Sequence, residues 1–232
     1  MAIAWFGKLP AIGDFAHRRL NLDAIERLDG WLSDGLAQRI QDAPDLWLDA
    51  YDHAPRWRFA WAAGVLASDG PWSGPLCGVL LPSRDRVGRR FPLIALRAMH
   101  APLSPAAREW LSGLESVLCL AVTEAWSIAQ LEDALGLLDH VAPLHADRAA
   151  AAPGRPGTGQ TCWAASPVSV GEAPAWRTHA GLPVGTAFAA LISARDQVEG
   201  TPTEGTATEG APIPIDSRLT IDSGELHDRL LD

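Results

Sequence analysis

Three apolar runs lie close together in the middle of this chain, at residues 57–63, 76–81 and 91–98, and the links between them are turn-rich. The first link carries Gly70, Pro71, Gly74 and Pro75, and the second is a polar, arginine-rich loop over residues 82–90. Turn residues between short apolar runs read as strands joined by tight connections. Tight connections favour antiparallel neighbours, because parallel ones need a long crossover. This constrains the fold more than any other feature, since a largely antiparallel (or mixed) sheet must sit at its centre.

Helices are expected around that sheet. Leu22, Ile25, Leu28, Leu32, Leu36 and Ile40 recur at three- and four-residue steps until Pro44, which gives one apolar helix face. Trp110, Leu111, Leu114, Val117, Leu118, Ala121, Val122 and Ala125 give a second stripe, preceded by Ser104 as N-cap and Pro105 at the first helical position. Residues 131–138 predict a further short helix. Residues 2–6 predict a buried strand ending at Gly7, and 161–165 and 187–193 predict closing strands. The order of elements is that of the α+β class, with helices flanking the sheet. A hydrophobic fraction of 47% is enough to build a sizeable core.

The body is expected to span residues 1–195, with an Ala/Gly/Pro-rich mobile loop at 146–160 inside it. Residues 196–232 hold nine acids and two arginines, a balance of -7 out of the chain's -9. Such a tail has too little apolar area to offset its ordering entropy, and disorder is expected. Net acidity argues against nucleic acid as a partner, because phosphate binding needs a basic face. Three unpaired-looking cysteines, no signal-peptide pattern and no long apolar stretch predict a cytoplasmic protein that does not insert into a membrane.

Chemistry is sought in two segments. Lys8, the only lysine, follows Gly7, but a phosphate loop needs an earlier glycine and a Ser or Thr after the lysine, and Leu9 stands there. The expectation is a turn whose lysine pairs with a carboxylate such as Asp14. Arg84, Arg86, Arg89 and Arg90 fall within seven positions. They read either as a patch for an acidic or phosphorylated partner or as a loop fixed by an Asp85 ion pair, with the remaining arginines solvated. Ser83 has no histidine near it in sequence and lies in no Gly-x-Ser-x-Gly elbow. The seven histidines show no metal spacing. No catalytic residue, metal site or cofactor is assigned.

Three clusters together resemble the TagF/ImpM family of type VI secretion accessory proteins. The first is Trp5-Phe6-Gly7-Lys8-Leu9-Pro10 with Gly13-Asp14-Phe15. The second is Trp47-Leu48-x-x-Tyr51-x-x-Ala54-Pro55-x-Trp57-Arg58-Phe59. The third runs from Gly78 through Pro82, Ser83, Asp85, Arg86, Gly88 and Arg89 to Phe91, Pro92 and Leu93. The resemblance weakens toward residue 193, and Ala164 stands where relatives carry a second Trp.

The resemblance implies a non-enzymatic, post-translational repressor of type VI secretion that acts through a forkhead-associated scaffold protein. By analogy alone, the fold compares with the sandwiches of the profilin or longin type. Lys8, Asp14, Arg84, Arg86, Arg89 and Arg90 are the candidate partner-binding residues, and the aromatic, Gly and Pro positions of the motifs are structural. Two other functions remain open. One is a small-molecule or nucleotide sensor that uses the loops at 7–15 and 82–90 as one pocket. The other is a structural subunit of the secretion apparatus. Thr203 and Thr208, each followed by a glutamate, offer a phosphothreonine docking segment, with a solubilising tail as the plainer reading.

Overall fold

The computed structural model describes residues 2–99, 105–141, 156–166 and 175–192. The expected N-cap Ser104, most of the 146–160 loop and the whole acidic tail with its threonines lie outside them. The elements are β1 (Ala4–Lys8), β2 (Phe15–Arg18), α1 (Leu22–Asp42), α2 (Trp47–Asp52), β3 (Trp57–Trp61), β4 (Leu76–Leu81), β5 (Leu93–Ala98), α3 (Pro105–Thr123), α4 (Ile128–Val141), β6 (Gln160–Ala165), β7 (Arg177–Ala180) and α5 (Thr186–Leu191), with a single 3-10 turn at Gly70–Trp72.

The strands form one seven-stranded sheet in the order β2-β1-β5-β4-β3-β6-β7, and every neighbouring pair is antiparallel. The class is α+β, as the turn-rich links require. Helices cover both faces, so the central strands are apolar on both sides and alternate only in which helices they meet. Phe6, Phe59, Trp61, Leu80, Ile94 and Trp163 share one core with Leu28, Trp31, Leu32 and Leu36 of α1 and Phe188 of α5. Trp5, Val79, Leu81, Leu93 and Ala95 share the other with Trp110, Leu111, Leu114 and Leu118 of α3 and Leu131 and Leu135 of α4. The period of two in a strand places consecutive residues in opposite cores.

Four expectations change. Residues 187–193 do not form a closing strand, because Thr186–Leu191 is helix. Phe188 and Leu191 are buried in the core that α1 lines, where Phe188 meets the Trp31 ring edge-to-face at 5.7 Å. A short apolar run has no period of its own, so tertiary contacts decided it. The loop expected to run to residue 160 ends earlier, in a turn closed by the Gln160 N–H donating to the Gly157 carbonyl (2.9 Å), and Gln160 opens β6. β2, β7 and α2 are additions. Leu22, counted on the apolar face of α1, is 67% exposed.

Gly35 is where α5 seats. A Cβ there would lie 2.5 Å from three atoms of the Phe188 ring. Gly35→Ala would gain about 1 kcal/mol of helix propensity, but overpacking of this kind costs about 1–3 kcal/mol. The expected result is net destabilisation, seen as a lower urea midpoint. A Gly35→Ala/Phe188→Leu pair should recover part of it. A raised midpoint for Gly35→Ala alone would show that the Phe188 ring moves freely.

Candidate functional site: two interlocked loops

The β1–β2 hairpin loop and the β4–β5 loop, far apart in sequence, are tied together at their bases. Strand β1 carries Lys8 to its end. The adjacent β5 and β4 then bring residues 83–90 over residues 9–14. The Arg86 N–H donates to the Ile12 carbonyl (2.7 Å), and the Arg89 guanidinium to the Gly13 carbonyl (2.6 Å).

Asp85 is the hub. Its carboxylate accepts from the backbone N–H groups of Val87 and Arg89, both at 3.0 Å, and from Arg89 Nε at 2.7 Å. Lys8 Nζ completes the set at 3.1 Å. Lys8 and Asp85 are 1% and 2% exposed. Burial raises the Asp85 carboxyl, but the hydrogen bonds from Arg89 and then Lys8 outweigh it and hold the group below the usual carboxylate range. Burial lowers the Lys8 ammonium despite Asp85 beside it. The ammonium also lies 4.9 Å from the centre of the Phe15 ring, a cation–π contact.

This corrects the expected partner of Lys8, which is Asp85 and not Asp14. It also removes Lys8 from the candidate partner-binding residues, because a side chain buried to this degree cannot reach a partner. Asp14 is exposed, and its carboxylate accepts from the Phe15 N–H (2.8 Å).

Ser83 is structural. Its hydroxyl donates to the Lys8 carbonyl (2.8 Å), and its backbone is clamped by Tyr51, whose hydroxyl accepts from the Ser83 N–H (3.1 Å) and donates to the Ser83 carbonyl (3.0 Å). Burial pushes the Tyr51 phenol well above its ordinary value. Tyr51 was visible in the second motif without a role, because its target lies 32 residues away. Its neighbour Asp52 holds Arg90 through two bonds of 2.9 and 2.7 Å, which keep that carboxyl low.

The four arginines therefore divide. Arg89 and Arg90 hold the loop, with side chains 25% and 23% exposed. Arg84 and Arg86 are exposed, Arg86 with its guanidinium close to Gly13, and Val87 between the two pairs is 68% exposed. The motif aromatics Trp5, Trp57, Phe59 and Phe91 are buried. Phe91, Phe6 and the half-exposed Phe15 pack ring on ring at 4.7–5.8 Å under the loops. Arg58 reaches Glu115 of α3 at 2.7 Å. Sequence reading missed Glu132 and Asp139 of α4. Glu132 accepts from the Trp5 indole (2.6 Å) and from Arg19, and Asp139 accepts from the Ile3 N–H (3.0 Å) and from Arg97. Among the described residues no helix is long and apolar enough to cross a membrane.

Helices on both faces of an antiparallel sheet, with two motif loops locked at one end, define an α+β domain that presents a preformed loop. The chain belongs to the TagF N-terminal domain family, which is associated with the type VI secretion system; the family's model matches residues 4–138. In fold it is similar to the crystal structure of PA0076 from Pseudomonas aeruginosa PAO1, with a TM-score of 0.63 and 23% identity over 91% of this chain and 100% of that one. No curated protein matches the chain.

Proposed function

We propose that this type VI secretion-associated chain is a non-enzymatic, post-translational repressor. It acts in the cytoplasm by stoichiometric binding, with a forkhead-associated scaffold protein as its partner. The observation that carries the reading is the division of the β4–β5 loop. Asp85, Arg89 and Arg90 are consumed in holding its shape, whereas Arg84, Arg86 and Val87 are exposed. A loop fixed before contact loses little entropy on binding. Arginine is among the residues enriched at the energetic centres of interfaces, and its fork suits a carboxylate or phosphate on the partner.

Replacing both Arg86 with Glu and Val87 with Asp should weaken scaffold binding by tenfold or more, equivalent to about 1.4 kcal/mol or above. The circular dichroism spectrum and melting temperature should stay unchanged, because neither side chain is buried. Repression measured in cells should fall in parallel and should scale with the amount of protein. Scaffold binding that survives the double substitution would remove the loop from the interface.

A further inference from the structure

We propose that the outer edge of β2 is a docking edge for a second copy of this chain, the two β2 strands pairing antiparallel about a two-fold axis at Ala16. The inference does not depend on the repressor reading.

Among the described residues β2 is an end strand of the sheet and pairs with β1 alone. Three contacts fix which of its residues face outward. The Phe15 N–H is held by the Asp14 carboxylate, and the His17 carbonyl accepts from Arg18 Nη1 (2.8 Å). On β1, the Lys8 carbonyl is turned away from β2 to accept from Ser83. In an antiparallel ladder a residue's N–H and C=O point the same way and alternate along the strand. Ala16 and Arg18 therefore bond inward to their partners Gly7 and Trp5, and Phe15 and His17 offer their backbone groups outward.

Among the described residues, two of those outward groups, the Phe15 N–H and the His17 carbonyl, are met by the side chains next to them in sequence. A second β2 can replace these caps in a register that uses both residues, with Phe15 opposite His17 of the other copy and His17 opposite its Phe15. Each pair then exchanges two N–H···O=C bonds. The same register sets Asp14 opposite Arg18 of the other copy, twice, as cross-strand opposite-charge pairs. Ala16, small and 8% exposed, meets Ala16 at the axis without a clash. The side chains that cap the edge within one molecule are thus the ones that would pair across the interface. This self-complementarity singles out a second copy over an unrelated strand, as an isologous interface requires. Four residues of edge bury less than a standard interface of about 800 Å² per partner, so the association is weak and concentration-dependent.

Sedimentation equilibrium on the full chain tests this. The weight-average mass should rise with concentration from one chain toward two. Arg18→Asp alone, or Asp14→Arg alone, should weaken association at least tenfold by setting like charges opposite each other. The double swap Asp14→Arg/Arg18→Asp should restore it. His17→Pro removes an outward N–H, leaves the inward ladder of Ala16 and Arg18 intact, and should abolish association, which provides a second variant should the Arg18 change unfold the hairpin. A wild-type chain that stays monomeric at ~1 mM, where a dissociation constant of that size would already populate the dimer, would overturn the proposal. So would a dimer that both single charge reversals and His17→Pro leave untouched.

Discussion

Asp85→Ala is expected to destabilise the domain by about 3–5 kcal/mol, the cost of leaving a buried charge without its partner. For a chain of this length that lowers the melting temperature by about 10 °C. The reason lies in the donor count at one carboxylate. Lys8 Nζ, Arg89 Nε and the N–H groups of Val87 and Arg89 all converge on it. Removing it strands four donors, and the ammonium among them is 1% exposed.

Lys8→Met is the contrasting experiment. It removes one donor of the four and leaves Asp85 paired with Arg89, so the loss should be about 1–2 kcal/mol. Equal losses for the two variants would mean that Lys8, not Asp85, organises the loops. A pH titration separates the charge from the packing. The Asp85 carboxyl is held below its ordinary value, so its contribution is present above the unfolded value near pH ~4 and is lost as pH falls through the lower folded value. Asp52 and Glu132 are lowered too and act in both proteins, so wild type minus Asp85→Asn isolates this one group. The wild type should lose its advantage over Asp85→Asn as pH falls below about 4.

Gly7→Ala is expected to be at least as damaging. Gly7 has φ +135, a conformation closed to residues with a Cβ, and an added Cβ would lie 2.1 Å from the Pro92 carbonyl oxygen and 2.9 Å from Leu93 Cα. Both neighbours are backbone, Pro92 just before β5 and Leu93 at its first position, paired with Gly7 itself, so relief requires the start of β5 to move away from β1. Strain of about 1–3 kcal/mol and an overpacking cost of similar size add here, and the variant should fail to yield folded protein. Gly88 provides the control. Its φ of +90 is also strained for other residues, but nothing lies within 4 Å of its Cβ position. Gly88→Ala should therefore cost only the backbone term, about 1–3 kcal/mol. Soluble Gly7→Ala with a native melting curve would show that β5 can yield.

What the sequence disclosed follows from where the determining contacts lie. α1 was legible because Leu28, Leu32 and Leu36, shared by the apolar stripe and the buried face, form a local periodicity, to which the structure adds Ala24 and Trp31. β4 was legible because turns bound it on both sides. β2 and β7 were not, since Phe-Ala-His-Arg and Arg-Thr-His-Ala are short, mostly exposed edges that exist through pairing with β1 and β6. At the site, the ion pair of Asp85 with Arg89 is four residues long and could be read directly. That of Lys8 with Asp85 is set by the sheet order and could not. The same holds for Tyr51 on Ser83 and for the α4 carboxylates on β1.

The strand order also governs when this molecule can finish folding. Phe6 pairs with Ile94, and Phe59 pairs with Trp163. On the ribosome the first strand therefore emerges with only β2 beside it, and an isolated hairpin is marginal in water. It stays so until β5 arrives, and Glu132 and Asp139 of α4 pin it later still. β3 keeps an open flank until β6 has left the tunnel. Contacts this distant make for slow assembly, and the nascent chain must protect Phe59 and Trp61 from other chains until Gln160–Ala165 has emerged.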